Sequence, residues 1–159
     1  MSDSGKFLDA KSWRLLAALQ ANARSPLKEL AAQSGLSVSA TAERLRKLED
    51  AGVLLGYHAE ISAEASGHAV SAVIGINVTQ PQKRKFLDKL AAMPEVLECL
   101  HVTGADSYML RVATTNMAGL EALIGAMNPF GETHSSIVLS TPIPRRGLRA
   151  PSTRSSGRV

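Results

Sequence analysis

Apolar residues recur at helical spacing three times within the first fifty positions. Leu8, Leu15, Leu16 and Leu19 form one stripe, with Asp9 near its start and Asn22-Ala23-Arg24-Ser25-Pro26 ending it. Leu27–Ser34 is a second, shorter helical segment, and Pro26 suits its first turn because the missing N–H has no partner there anyway. Val38–Glu49 is a third, with Val38, Ala42, Leu45 and Leu48 expected to pack inward. Gly35-Leu36-Ser37 joins the last two, and Ser37 stands where an N-cap belongs. Two short helices around a tight Gly-containing turn form a helix-turn-helix pattern. Ala51-Gly52 then supplies a C-cap signal, and Val53–Ile61 reads as a short hairpin around Gly56. The predicted module is a winged helix-turn-helix over residues 1–61.

The period changes beyond residue 68. Residues 62–68 are small and polar and read as a linker. Ala69–Val78 alternates as a strand, Pro81–Met93 is helical, and Val96–Val102 and Tyr108–Thr114 are strands turned by Gly104-Ala105-Asp106-Ser107. Met117–Met127 is a second helix, and Thr133–Thr141 a last strand. The order βαββαβ is the ferredoxin-like split arrangement, so the predicted class is α+β, with this second domain over residues 69–141. Such a sheet carries helices on one face only. Ala69, Ser71 and Val73 point away from the face of Val70, Ile74 and Ile76, and a half-covered sheet with apolar residues on both sides is either a dimer surface or the back of a two-layer monomer.

On the third helix, Ser39, Ala40, Glu43, Arg44 and Lys47 are expected to look outward. Ser37, Ser39 and Thr41 are short enough to reach base edges or phosphates, Arg44 has the fork that fits a guanine edge, and Arg46 and Lys47 suit phosphates. An ordinary amphipathic helix with a solvated charged face produces the same pattern.

The net charge of +4 changes little in this picture, because Arg145, Arg146, Arg149, Arg154 and Arg158 all follow Pro142 with no acid among them. The rest of the chain holds 13 basic and 14 acidic residues. Residues 142–159 have no apolar period and are expected to be a disordered basic tail, attracting phosphate non-specifically or simply aiding solubility. No apolar run reaches membrane-spanning length and no secretory leader precedes the first helix, so a cytoplasmic protein without a membrane partner is expected. Cys99 is the sole cysteine and reads as a small buried hydrophobe, Trp13 as a packing residue. His58, His68, His101 and His134 lack metal-ligand spacing, and no phosphate loop, nucleophile elbow or paired-carboxylate site occurs, so neither metal nor catalytic residues are expected.

Leu8-Asp9, Leu30-Ala31 through Gly35-Leu36-Ser37, Arg44-Leu45-Arg46-Lys47-Leu48-Glu49-Asp50-Ala51-Gly52-Val53-Leu54, Leu55-Gly56-Tyr57, and His101 through Val112 follow one another in an order and spacing that resemble the Lrp/AsnC family over roughly residues 7–142. The resemblance implies a transcription regulator, not an enzyme, that binds double-stranded DNA through the winged helix and an amino acid or related metabolite through the ferredoxin-like domain. It implies a homodimer, with tetramers or octamers as higher assemblies. By position it carries the effector site to Thr103, Gly104, Ala105, Asp106, Ser107 and Tyr108, with Thr133, Ser135 and Ser136 on the last strand. Backbone amides around Gly104 suit a carboxylate, Asp106 suits an ammonium group, and hydroxyls fix orientation, while a plain β-turn uses the same residue types.

Two positions depart from the family. Ser107 stands where many relatives carry Asp before the aromatic, the acid being one residue earlier at Asp106, which leaves the effector unassigned. Val38 stands where Pro is frequent. Two alternatives share the scaffold: a sirohaem-decarboxylase-like enzyme, for which His101 and Arg111 are candidate pocket residues, and an architectural DNA-binding protein that responds to no effector.

Overall fold

Three short helices, each capped by its own sequence, form the first unit. The computed structural model describes residues 8–152. Residues 1–7 and 153–159, within the expected DNA-binding domain and basic tail, lie outside them. Helix α1 (Ala10–Ala21) starts at Asp9, whose carboxylate accepts from the Ser12 amide at 2.8 Å. Helix α2 (Leu27–Ser34) follows Pro26 and ends at Gly35 in the left-handed conformation, φ 67°. The Leu36 amide then returns to the Ala31 carbonyl at 3.0 Å, which satisfies a terminal carbonyl and turns the chain sharply. Helix α3 (Val38–Asp50) starts at Ser37, whose hydroxyl accepts from the Ala40 amide at 3.2 Å. Leu15, Leu16, Leu19, Leu30 and Leu48 close the small core, with Trp13 and Leu45 packed against it.

The hairpin expected over 53–61 does not form. The segment is tied down at its start, where the Val53 and Leu54 amides donate to the Leu48 carbonyl, and at Tyr57, whose hydroxyl donates to Glu49 Oε1 at 2.7 Å. Beyond that it is extended and unpaired. An isolated two-stranded ribbon is marginal in water, and here Leu55 (89 % exposed) and Ile61 find no apolar surface in the chain to pack on.

The second unit, Ile61–Ile143, holds a four-stranded antiparallel sheet of β1 (Val70–Ile76), β2 (Val96–His101), β3 (Tyr108–Thr114) and β4 (Thr133–Ile137) in the order β2-β3-β1-β4. Helices α4 (Lys83–Ala91) and α5 (Met117–Met127) connect the strands. A single 3₁₀ turn, Gln80–Gln82, takes the Pro81 end of the expected first helix, and the last strand stops at Ile137, short of Thr141. Alternation places Ala72, Ile74, Ile76, Tyr108, Leu110 and Val112 on one face, where they meet Phe86, Leu90, Leu120, Leu123 and Met127. Phe86 is fully buried, its ring 5.3 Å from Tyr108 and 5.6 Å from Phe130. The other face bears Ser71, Val73 and Gly75, Met109 and Arg111, Leu100, His134 and Ser136. Edge strand β2 carries a bulge between Val96 and Glu98, and Cys99 on it is exposed, not buried as its apolar neighbours suggested.

Residues 144–152 carry no helix or strand and belong with the N-terminal unit. They are held at one point: the Gln20 side-chain amide donates to the Leu148 carbonyl at 2.9 Å and accepts from the Leu148 amide at 2.6 Å. Among the described residues no helix is long and apolar enough to cross a membrane.

Phe86→Ala is expected to destabilise the second unit by about 3–5 kcal/mol, the range for emptying a buried aromatic site. Urea denaturation followed by the fluorescence of Tyr108 measures it, and a loss below about 1 kcal/mol contradicts the central place given to this ring.

Candidate DNA-binding surface and ligand-binding site

Helix α3 is rotated from its expected orientation. Thr41 and Leu48 are its buried residues, and Leu45 and Arg44 are half-buried. Thr41 is therefore withdrawn from the expected DNA contacts: its hydroxyl donates to the Ser37 carbonyl at 2.8 Å, which satisfies the group inside the helix and lets it enter the core. Val38 and Ala42, expected inside, lie outside, and Val38 is 47 % exposed. The outer face thus comprises Ser37, Val38, Ser39, Ala42, Glu43, Arg46 and Lys47, with Ala40 half-buried. Short polar groups at its N-terminal end and small apolar ones beside them match what base edges and thymine methyls present in a major groove.

Arg44 does not project from this face as expected. Its Nη1 donates to Asp9 Oδ1 at 2.5 Å and to the buried Ser12 hydroxyl at 2.7 Å, bracing α3 against the start of α1. The Ser12 amide first, then the Arg44 guanidinium, hold the Asp9 carboxyl down to about 2. Lys47 pairs along the helix with Glu43 at 2.6 Å, and that contact lowers the Glu43 pKa. At the far end of α3, partial burial and then Glu49 push the Tyr57 hydroxyl up to about 12, so it remains a hydrogen-bond donor at any working pH.

The second site lies where the β2–β3 turn meets β1 and β4. The Val102 amide donates to the Ser107 carbonyl and the Ser107 amide to the Ile76 carbonyl, both at 3.0 Å. The Ser107 hydroxyl donates to Asn77 Oδ1 at 2.6 Å and accepts from the Val78 amide, which pins the turn to the end of β1. Between these ties, the amides of Thr103, Gly104, Ala105 and Asp106 meet no acceptor among the described residues, and Gly104 has φ 124°. Asp106 folds over Gly75, where any side chain would overlap its carboxylate. His134, the β4 partner of Gly75, brings Nδ1 to 3.6 Å from Asp106 Oδ1, near enough for an ion pair when the imidazole is protonated. The Asp106 side chain is only 23 % exposed. The turn thus offers free donors beside a partly sheltered carboxylate, the pair of features that bind an anionic and a cationic group together.

Not all the residues carried to this site meet there. Tyr108 turns to the helix face and is buried between Phe86 and His101, so it supports the turn from below. Thr133 and Ser135 pair with Ile76 and Ile74 and share their face, whereas Ser136 shares the open face with His134. Gly75, His134 and Asn77 were missed. A glycine inside an apolar strand was the available signal, since it marks a close approach of another group. No group of His, Cys, Asp and Glu that could hold a metal ion occurs among the described residues.

Comparison with known proteins bears on both sites. The profile of the winged helix-turn-helix DNA-binding domain matches residues 8–54, and that of the Lrp/AsnC ligand binding domain matches residues 71–148. The transcriptional regulator LrpA of Mycobacterium tuberculosis is 39 % identical over 130 residues, which span 80 % of this chain and 87 % of LrpA. The chain belongs to the Lrp/AsnC family. Among solved structures, the feast or famine regulatory protein of M. tuberculosis complexed with L-methionine superposes with a TM-score of 0.83 at 36 % identity, covering 90 % of this chain and 99 % of that one. A transcriptional regulator of Neisseria meningitidis in complex with L-methionine gives 0.81 at 28 % identity, covering 91 % and 96 %. As an Lrp/AsnC protein the chain is a transcriptional regulator built from a DNA-binding and a ligand-binding domain.

The brace at the start of α1 has a pH signature. A carboxyl held below its ordinary value of 3.8 contributes fully above pH 4 and loses that contribution as the pH falls towards 2. Asp9→Ala is expected to cost about 1 kcal/mol at pH 7, as for other N-caps. Thermal melts should show the gap between wild type and variant narrowing from pH 4 to pH 2. A constant gap contradicts the ionic part of the brace.

Proposed function

We propose that this regulator is a homodimer that reads a pseudo-palindromic DNA site with two copies of α3 and responds to an amino acid bound at the β2–β3 turn. The observation that carries the reading is the set of unpartnered turn amides from Thr103 to Asp106 beside the Asp106 carboxylate. An amino acid needs donors for its carboxylate and an acceptor for its ammonium group, and this turn supplies both within a few residues. The L-methionine complexes of two relatives support the same ligand class.

On the DNA side, Ser39 and Val38 address bases, and Arg46 and Lys47 address phosphates. In a dimer the two α3 helices enter successive major grooves about 34 Å apart. The open sheet face, with Val73, Leu100 and Met109, is the surface for pairing with a second copy, in keeping with its uncovered apolar side chains. Tetramers or octamers are the higher assemblies this reading allows. The effector acts by binding two assembly or DNA-binding states unequally, since a ligand with equal affinity for both shifts nothing. A regulator that binds chromosomal DNA works in the cytoplasm, and nothing in this scheme requires catalysis or a cofactor.

Calorimetric titration with a panel of amino acids tests the ligand half. Asp106→Asn should weaken binding of the responsive amino acid at least about tenfold, because a charge-assisted hydrogen bond becomes a neutral one. Gly75→Ala should have a similar effect with little loss of stability, because the overlapped group is the mobile end of a side chain. Wild-type affinity in both variants refutes the assignment of the site. In a gel-shift assay, the double substitution Ser39→Ala and Lys47→Ala should weaken binding to a selected duplex while leaving amino-acid affinity intact.

A further inference from the structure

The α3 helix is poorly charged for a surface that must hold a polyanion. Lys47 is paired with Glu43 and Arg44 with Asp9, which leaves Arg46 as the α3 cation without a carboxylate partner among the described residues. Residues 1–60 carry eight basic and seven acidic residues, close to neutrality. Lys11, Arg14 and Lys28 are spread singly over α1 and α2. DNA-binding affinity rests largely on phosphate neutralisation, so a nearly neutral module binds weakly at physiological salt.

The missing charge is carried by the chain's far end. Arg145, Arg146 and Arg149 are exposed, lie within five residues, and have no ion-pair partner among the described residues. They flank the one point at which this segment is fastened, where Gln20 on α1 grips the amide and carbonyl of Leu148. Gly147 permits that grip: a Cβ there would stand 2.8 Å from the Gln20 amide group. Residues 144–152 contribute no buried side chain to the unit, so their attachment does not serve a core.

We infer that residues 144–152 form a basic arm, moored to the DNA-binding unit through Gln20, that binds the phosphate backbone of the same duplex whose groove receives α3. This rests on the DNA-binding reading above. Mooring matters because it converts a distant end of the chain into a local cation cluster of high effective concentration. Arginine-bearing arms in extended conformation suit the phosphates and the minor groove flanking a recognition site. Contacts of this kind add affinity without reading sequence.

The test uses the full chain and a duplex selected by the wild-type protein from a random-sequence pool, with a shuffled duplex as control. The triple variant Arg145→Ala, Arg146→Ala, Arg149→Ala should lose about tenfold or more in affinity for both duplexes. The ratio between the two affinities should stay as in the wild type. The slope of log affinity against log salt should become shallower by about 3, close to one per lost phosphate contact. Gln20→Ala and Gly147→Val keep every arginine and should show a smaller loss in the same direction. Unchanged affinity and slope in the triple variant overturn the arm, as does a loss that sedimentation traces to altered subunit assembly. A wild-type protein that selects no duplex refutes the DNA-binding reading itself, and a variant that matches a well-binding wild type refutes the arm alone.

Discussion

The helix-turn-helix unit depends on how α3 is held, and a single guanidinium does much of the holding. Arg44 spans from α3 to the first turn of α1, where it meets a carboxylate and a buried hydroxyl that are themselves fixed by the helix start. The core beneath is small, with Leu48 and the half-buried Leu45 as the aliphatic contributions from α3. A helix anchored by so few apolar groups is free to roll unless a directional contact stops it. The brace therefore sets which residues α3 presents: with Arg44 turned towards α1, the opposite face carries Val38, Ser39, Ala42 and Lys47.

That geometry explains where the sequence was readable. The helices and their caps were legible because they rest on local rules: Asp9, Ser37 and Gly35 each act within a few residues of themselves. The rotation of α3 was not legible. Apolar spacing favoured Val38 and Ala42 as inward positions, but Thr41 can be buried once its hydroxyl finds the Ser37 carbonyl, and Arg44 can be half-buried once it finds Asp9, 35 residues earlier. Polar residues that solve their hydrogen bonding privately look, in sequence, like surface residues. The hairpin over 53–61 failed for the complementary reason. Its alternation was genuine, yet strand pairing needs an apolar partner surface that one copy of the chain does not offer.

In the ligand-binding unit the topology and nearly all strand limits followed from periodicity, because each strand has one face committed to the helices. The site was only half visible. The turn residues are contiguous and could be named from resemblance, while Gly75 and His134 join Asp106 only through strand pairing across β1 and β4. Tyr108 shows the converse. Adjacent to the turn in sequence, it lies on the opposite side of the sheet, because one step along a strand reverses the direction of the side chain.

The mooring of the C-terminal segment has a further consequence. Gln20 engages the main chain of Leu148 and nothing of its side chain, which stands largely in solvent. A clasp that recognises backbone alone is indifferent to the residue it holds, provided its neighbour at 147 stays without a Cβ. The composition of this extension is thus free to drift, in length beyond the clasp and in identity at position 148, while its point of attachment does not move.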